Sequence, residues 1–296
     1  MPALKFMNFN IRTSLADDGP NNWKFRRDLV IETILLDDPD LMGIEEPTDE
    51  QWAFLTERLS GTWTGIAHSR KDTVGKEPHL QGLFFKHGRI KRAADGVFWL
   101  SDTPNVPGSI SFPQDWGART VVWIRGEDIA AGREIVFAVA HLDTHPDSWM
   151  PGSRVMAAEL ANLAGNLPVV VAGDFNCSAG CAAWKFLTGE GGFRDAWTES
   201  GRADSAVTTF NAFRPISRLP LENMPMLEKW MHDTCDAVPA FRHYPQHVID
   251  HRNYRIDWIL HRGGLTVRDA VVDTRVFGGK TASDHYPVLA VLEWPG

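Results

Sequence analysis

Short runs of β-branched and aromatic residues recur along the chain, separated by polar, glycine- or proline-bearing breaks. LKFMNFNI, DLMGIE, GLFFK, GVFWL, TVVWIR, EIVFAVAHL, PVVVAGDF, RIDWIL and PVLAVLEW each have the length and make-up of a strand. TVVWIR and EIVFAVAH are divided by a short acidic link containing glycine, which predicts an antiparallel pair. In the first run, alternation sets Asn8 and Asn10 on one face. Helical spacing appears three times. Trp23 to Asp37 places Phe25, Leu29, Thr33 and Leu36 on one predicted face, with Pro39 as the stop. Thr48 and Gln51 have the form of a capping box, opening a helix with Trp52, Leu55 and Leu59 in one stripe and Gly61 at its end. Ser153 to Asn166 predicts a third helix, which leads through Pro168 into VVVAGDFN.

Helices near both ends with many strands between them predict a mixed α/β architecture of two packed sheets covered by helices. No internal repeat, low-complexity tract or linker is visible, so one domain is expected over residues 1–296. The stretch from Phe210 to Tyr254 is different, being rich in Pro, His, Met and Arg. It reads as a long insertion at about 210–254, either a lid over a site or a packed surface loop. His243, His247 and His251 recur at helical spacing, but Pro245 interrupts the run and argues against a metal site.

A chain of 296 residues with 43% hydrophobic content has enough core to fold without a metal or disulfide staple. A formal net charge of −8 argues against a protein whose main task is gripping polyphosphate backbones. Three cysteines, Cys177, Cys181 and Cys235, cannot all pair within the chain, and the first two lack a second ligand pair for zinc. The N-terminus runs straight into a strand, and no apolar stretch approaches the roughly 18 residues a membrane helix needs. A reducing, cytoplasmic location is expected, with no membrane segment.

Polar residues suited to metal and phosphate chemistry sit at the strand ends. They are Asn8 and Asn10, Glu45 and Glu46, His141 with Asp143 and His145, Asp174 with Asn176, Asp257, and Asp284 with His285. Each has a plain structural reading. An Asp after Gly is commonly a turn former, and a lone His on a strand is commonly a hydrogen-bonded core residue. Six such breaks together, mixing carboxylates, amides and imidazoles, point to one site. Hard oxygen ligands suit Mg²⁺ or Mn²⁺, and neutral amides and imidazoles suit phosphoryl oxygens.

The ordered set FNIR, GIEEP, GLFFK, FWLSDTP, HLDTH, GDFN, RIDWIL and SDHYPV resembles the endonuclease/exonuclease/phosphatase superfamily, which has the fold of pancreatic deoxyribonuclease. The resemblance runs from about Phe6 to Leu292, outside the insertion. It implies a four-layer α/β/β/α sandwich with the site at one edge of the sheets. It implies that Glu46, Asn10 and Asp284 hold a divalent cation, Mg²⁺ or Mn²⁺, with Ca²⁺ as a further candidate. It also implies that Asp174 and Asn176 handle the attacking water and a phosphoryl oxygen, that His141 faces the phosphate, and that Asp257 orients the essential His285. The family usually has Gln before the metal-binding Glu. Here it is Glu45, an extra carboxylate expected to raise local negative charge. Arg119, before TVVWIR, is expected on the substrate phosphate, against the alternative of a salt bridge. His145 is expected near the substrate or metal. The expected activity is metal-dependent hydrolysis of a small or medium organic phosphate by in-line attack of water. A DNA or RNA nuclease is the runner-up, and an inactive binding protein of the same fold is the remote alternative.

Overall fold

The computed structural model describes residues 2–70, 79–202, 208–213 and 255–296. Most of the insertion foreseen at 210–254 lies outside these residues, with its histidines and Cys235.

The described strands form two six-stranded sheets. The first contains β1 (Ala3–Asn10), β2 (Leu41–Glu45), β3 (Trp63–Ser69), β4 (Leu80–Lys86), β11 (Thr266–Val272) and β12 (Val288–Glu293), in the order β11-β12-β1-β2-β4-β3. The second contains β5 (Ile90–Trp99), β6 (Thr120–Asp128), β7 (Arg133–His141), β8 (Val169–Asp174), β9 (Arg194–Asp195) and β10 (Asp257–Arg262), in the order β5-β6-β7-β8-β10-β9. Only β1–β2 and β7–β8 pair in parallel, and a helix follows the first strand of each pair. Such a crossover is what parallel neighbours require. The foreseen β6–β7 pair is antiparallel.

Period-two alternation sorts every central strand into two faces. Leu4 and Phe6 of β1, Leu41 of β2, Phe137 and Val139 of β7, Val170 and Ala172 of β8 and Ile259 of β10 pack between the sheets. Met7, Phe9, Met42 and Ile44 face instead the helices α1 (Arg27–Asp37) and α2 (Asp49–Leu59). Val169, Val171, Trp258 and Leu260 face α3 (Pro146–Ala164) and α4 (Ala182–Thr188) on the other side. The result is an α/β/β/α sandwich with three apolar layers. A last short helix, α5 (Ala196–Glu199), follows β9.

Helix boundaries depart from the sequence pattern in instructive ways. Residues Trp23–Phe25 form a 3₁₀ turn, and α1 begins at Arg27. Its buried face is Val30, Ile31 and Ile34, while Phe25 and Leu36 are exposed. The aliphatic run offers two overlapping stripes, and the β-branched one faces the sheet. The capping box at α2 is present: Thr48 Oγ1 accepts from Gln51 N, and Thr48 N donates to Gln51 Oε1. Helix α3 starts at Pro146, a full turn and more before the predicted Ser153, because Pro suits a first helical position. Among the described residues no helix is long and apolar enough to cross a membrane.

Candidate active site

At one rim of the sandwich the inward-facing row turns from apolar to polar. After Leu4 and Phe6, the next inward positions of β1 are Asn8 and Asn10. After Val170 and Ala172 of β8 comes Asp174, after Phe137 and Val139 of β7 comes His141, and before Ile259 of β10 comes Asp257. Glu45 ends the same face of β2, and Gln81 opens that of β4. Strand register then fixes the neighbours. Asn10 lies beside Glu45, His141 beside Asp174, Asp257 opposite Asp174, and Glu45 opposite Gln81. Alternation and register together therefore bring residues from six strands to one cleft between the sheets.

Gly173 makes this register possible. A Cβ there would stand 1.9 Å from the carbonyl oxygen of Ala140 on the parallel strand β7. The glycine before Asp174 thus serves close strand approach rather than a turn. The turns come just beyond the strand ends. Arg12, Glu46 and Asn176 all adopt left-handed conformations, with φ of 56°, 64° and 51°. Non-glycine residues pay roughly 1–3 kcal/mol each for such backbone, and three clustered at one rim mark a functional edge.

Asn10 ties the two sheets together at the centre. Its Nδ2 donates to Glu46 Oε1 at 3.0 Å and to Asp174 Oδ2 at 3.0 Å. Asn8 Nδ2 reaches Asp257 Oδ1 at 3.3 Å. Asp174 Oδ2 lies between two imidazoles, 3.6 Å from His141 Nε2 and 3.7 Å from His285 Nε2. His285 Nδ1 is 2.9 Å from Asp257 Oδ2. The edge of the Phe210 ring packs on the His285 ring, with centroids 5.1 Å apart. Thr209 Oγ1 accepts from both Ile256 N and Asp257 N, which fixes the start of β10.

The loop after β1 is held from beneath by buried Arg26, whose guanidinium donates to the carbonyls of Ile11, Arg12 and Ala282. This joins the loops before and after the sheet and brings Arg12 to Asp284. Arg12 forks onto Asp18 at 3.1 Å for both contacts and lies 3.6 Å from Asp284 Oδ2. Ser283 Oγ is 2.8 Å from Asn10 O and 3.1 Å from Asp284 Oδ1.

The charges separate by environment. Burial and the negative charge of Asp257 push the Asp174 carboxyl up to about 7, against the pull of His285 and two hydrogen bonds. Burial also raises Asp284. Burial would raise Glu46 too, but Arg12, His141, His79 and the Asn10 amide outweigh it and hold Glu46 ionised. Burial and then Arg119 hold His141 well below the ordinary histidine value. His285 runs the other way: burial opposes its charge, yet Asp257 and Asp174 raise it well above that value. Glu45 is fully buried, and neither carboxylate oxygen has a hydrogen-bond partner among the described residues. Burial and the charges of Asp257 and Asp174 raise it well above the ordinary carboxyl value. The extra carboxylate read from the sequence as added negative charge is thus one whose ionisation its surroundings oppose.

Ligand atoms of Glu46, His141 and Asp174 lie within 4.8 Å of one another, as do those of Asp174, Asp257 and His285. Asp284 belongs to neither group and faces Arg12 instead. Glu46, held ionised, offers the hard oxygen that Mg²⁺ or Mn²⁺ takes, and a dication there would favour the ionised form of Asp174 beside it, so the donor set fits a divalent cation.

Three other residues singled out in the sequence sit differently. Asn176 donates Nδ2 to Leu142 O at 2.8 Å and its backbone N to Asp174 Oδ1 at 2.9 Å, shaping the turn that holds Asp174. Arg119 donates Nε to Asp143 Oδ2 at 2.9 Å. His145 caps α3, its Nδ1 accepting from Asp147 N at 3.3 Å. Sequence reasoning passed over Arg12, Arg70, His79, Thr209 and Phe210, all of which the fold brings to this rim. Arg12 lay within FNIR and His79 directly before GLFFK's strand, but a single basic residue at a strand end carries no signal of its own.

Two mixed six-stranded sheets packed face to face, with acids and imidazoles gathered at one rim, define an α/β/β/α sandwich class. The chain belongs to the Endonuclease/Exonuclease/phosphatase family, whose sequence profile matches residues 7–285. Members of this family hydrolyse phosphoesters and generally use divalent metals. Comparison with curated protein sequences gives no match. Among solved structures, an endonuclease/exonuclease/phosphatase family protein from Bacteroides thetaiotaomicron is 22% identical with a TM-score of 0.81, covering 100% of this chain and 99% of that one. A mannosyl-6-phosphatase of the same organism is 22% identical with a TM-score of 0.80, covering 98% and 100%. TDP2 of D. rerio, complexed with a single-strand DNA product, is 14% identical with a TM-score of 0.68, covering 98% and 99%. At these identities the likeness speaks for the fold.

Proposed function

We propose that this protein hydrolyses phosphoester bonds of a small or medium organic phosphate, with a divalent cation held at Glu46 and with Asn10 beside it, while Asp284 holds Arg12 at the rim. The observation that carries this reading is the placement of Asp174, with a pKa of about 7, between the imidazoles of His141 and His285 and one hydrogen bond from Asn10. A carboxylate with a pKa near the working pH is a stronger base than an ordinary Asp while still ionised in part, which suits it to take a proton from water as the bond to phosphorus forms. The cation, when bound, neutralises phosphate charge and so eases approach of the nucleophile.

The remaining steps belong to the chain. Asp174 takes the proton of a water aligned with phosphorus. Neutral His141 donates a hydrogen bond to a non-bridging oxygen. His285, charged and oriented by Asp257, stabilises the excess negative charge of the pentavalent state. Attack in line forms the bond from water oxygen to phosphorus and breaks the ester P–O bond. The alkoxide takes a proton from solvent and leaves as the alcohol, the proton on Asp174 returns to solvent, and no covalent intermediate with the protein forms. Asn176 acts by holding the Asp174 turn.

The test is a hydrolysis screen with Mg²⁺, Mn²⁺ and Ca²⁺, each with and without excess chelator. The substrates are p-nitrophenyl phosphate, bis(p-nitrophenyl) phosphate, a sugar-phosphate panel, RNA and single-stranded DNA. Chelator-sensitive turnover of a small phosphoester, lost in folded Asp174→Ala and His285→Ala, supports the proposal. Turnover of nucleic acid alone, or wild-type turnover in either variant, refutes it.

A further inference from the structure

Beyond His141 the rim carries two guanidinium groups and an imidazole that the steps above leave unused. Arg70 and His79 face each other where β3 and β4 reach the rim, Arg70 N donating to His79 O at 3.4 Å. Arg70 Nη2 lies 2.9 Å from His79 Nδ1. A guanidinium only donates, so Nδ1 accepts and the ring proton sits on Nε2. Burial, with the charges of Arg70 and Arg119, brings His79 down to about 4 and keeps that tautomer neutral.

Arg119 stands at the head of β6 and is 3% exposed. Its Nε is committed to Asp143, whose two oxygens also accept from the backbone N–H groups of Asp115, Trp116 and His145. That network fixes the guanidinium plane. Arg119 Nη1, by contrast, is buried with no hydrogen-bond partner among the described residues. An unmet buried donor on a charged group is costly, and an anion in the cleft satisfies it. The two strand edges are joined behind this point: Leu100 N donates to Arg119 O, and Trp99 Nε1 donates to Arg70 O, each at 2.8 Å.

We infer that Arg119, Arg70 and His79 form a phosphate pocket on the His141 side of Asp174, and that its ligand is the terminal phosphoryl group of a phosphomonoester. For its link to turnover this rests on the hydrolase reading; for binding it does not. A terminal phosphate carries about −1.5 to −2 charge near neutral pH and three acceptor oxygens. A diester has one charge and two such oxygens. Two guanidinium groups with the Nε2–H of His79 reward the extra charge and the third oxygen, where a diester would place a carbon substituent.

Binding to the Mn²⁺-saturated full chain, measured by titration calorimetry with inorganic phosphate and with dimethyl phosphate, tests this. The dianion also binds Mn²⁺ itself more strongly than the monoanion, so the change in their ratio on altering the pocket, and not the ratio alone, isolates the pocket. The wild type is expected to bind phosphate at least tenfold more tightly than dimethyl phosphate. In His79→Phe and Arg119→Lys, checked for folding by circular dichroism, that preference falls at least fivefold. Equal affinities in the wild type overturn the inference, as does an unchanged preference in folded His79→Phe. Tighter binding of dimethyl phosphate overturns it in favour of a diester site. Should Arg119→Lys fail to fold through loss of the Asp143 contact, His79→Phe decides. Absence of hydrolysis with the phosphate preference intact refutes the enzyme reading and leaves the pocket standing.

Discussion

His285 Nδ1 and Asp257 Oδ2, 2.9 Å apart, join a loop of the first sheet to the first residue of β10 in the second. The pair closes the cleft and keeps the imidazole charged. Because the folded pKa of His285 lies well above 6.5, its ionic contribution to stability is complete below that value and is lost as pH rises through the folded one. Asp257→Asn preserves shape but removes the charge. Its His285 titration, followed by NMR, moves to lower pH, and phosphoester turnover falls at least about a hundredfold. An unmoved titration contradicts the assigned pairing.

Glu45 offers a prediction of opposite sign. Its folded pKa is raised well above 4.5, so the unfolded chain ionises first as pH increases. Stability is therefore withdrawn above about pH 5 and falls further toward the folded pKa. Glu45→Gln removes that cost while filling the same volume. Chemical denaturation of the metal-free variant is expected to show a gain of at least about 1 kcal/mol at pH 8, since one pKa unit is worth about 1.4 kcal/mol. At pH 4 the gain disappears. A pH-independent difference contradicts the raised pKa of Glu45.

Gly173 is expected to tolerate no side chain. With a Cβ only 1.9 Å from Ala140 O, Gly173→Ala must part β7 from β8 at the point where His141 meets Asp174. The expected loss is about 3 kcal/mol or more, read from denaturant unfolding, because backbone cannot yield as a flexible side chain does. Wild-type stability in this variant contradicts the strand register.

Two packed sheets covered by helices and a set of polar strand ends were legible in the sequence itself, while the four-layer order and the roles of the site residues were what the family resemblance implied. A run such as VVVAGDFN states its inward face outright, and the turn from Ala172 to Asp174 on that face marks the rim. What stayed hidden follows from features that period and composition do not carry. Strand β3 contains Gly65 and His68 and lies at a sheet edge, partly exposed, so its pattern is weak. Strand β11 carries a register shift between Val267 and Asp269, which breaks the alternation a reader looks for. His79 acquires meaning only from Arg70 and Arg119, which are close through sheet packing and not through spacing. Of the face expected on α1, Thr33 is buried and Leu29 packs on the core, while Phe25 and Leu36 are exposed because the aliphatic run offers two overlapping stripes.

The capping box supports the loop that carries Arg12: Gln51 Nε2 donates to Arg12 O, and Ser14 Oγ lies 2.9 Å from Thr48 Oγ1. Thr48→Ala removes the acceptor of Gln51 N and is expected to cost about 1 kcal/mol in denaturant unfolding. A loss of metal affinity matching that of Glu46→Gln would instead show that this support reaches the site.

Most directly decisive is calorimetric titration of Mn²⁺ into the chelator-treated protein, comparing wild type with Glu46→Gln. If polar residues from six strands gather about one divalent cation, the wild type binds it and folded Glu46→Gln binds it at least tenfold more weakly. Equal binding by the two, or no binding by the wild type, would contradict a metal centre at this rim.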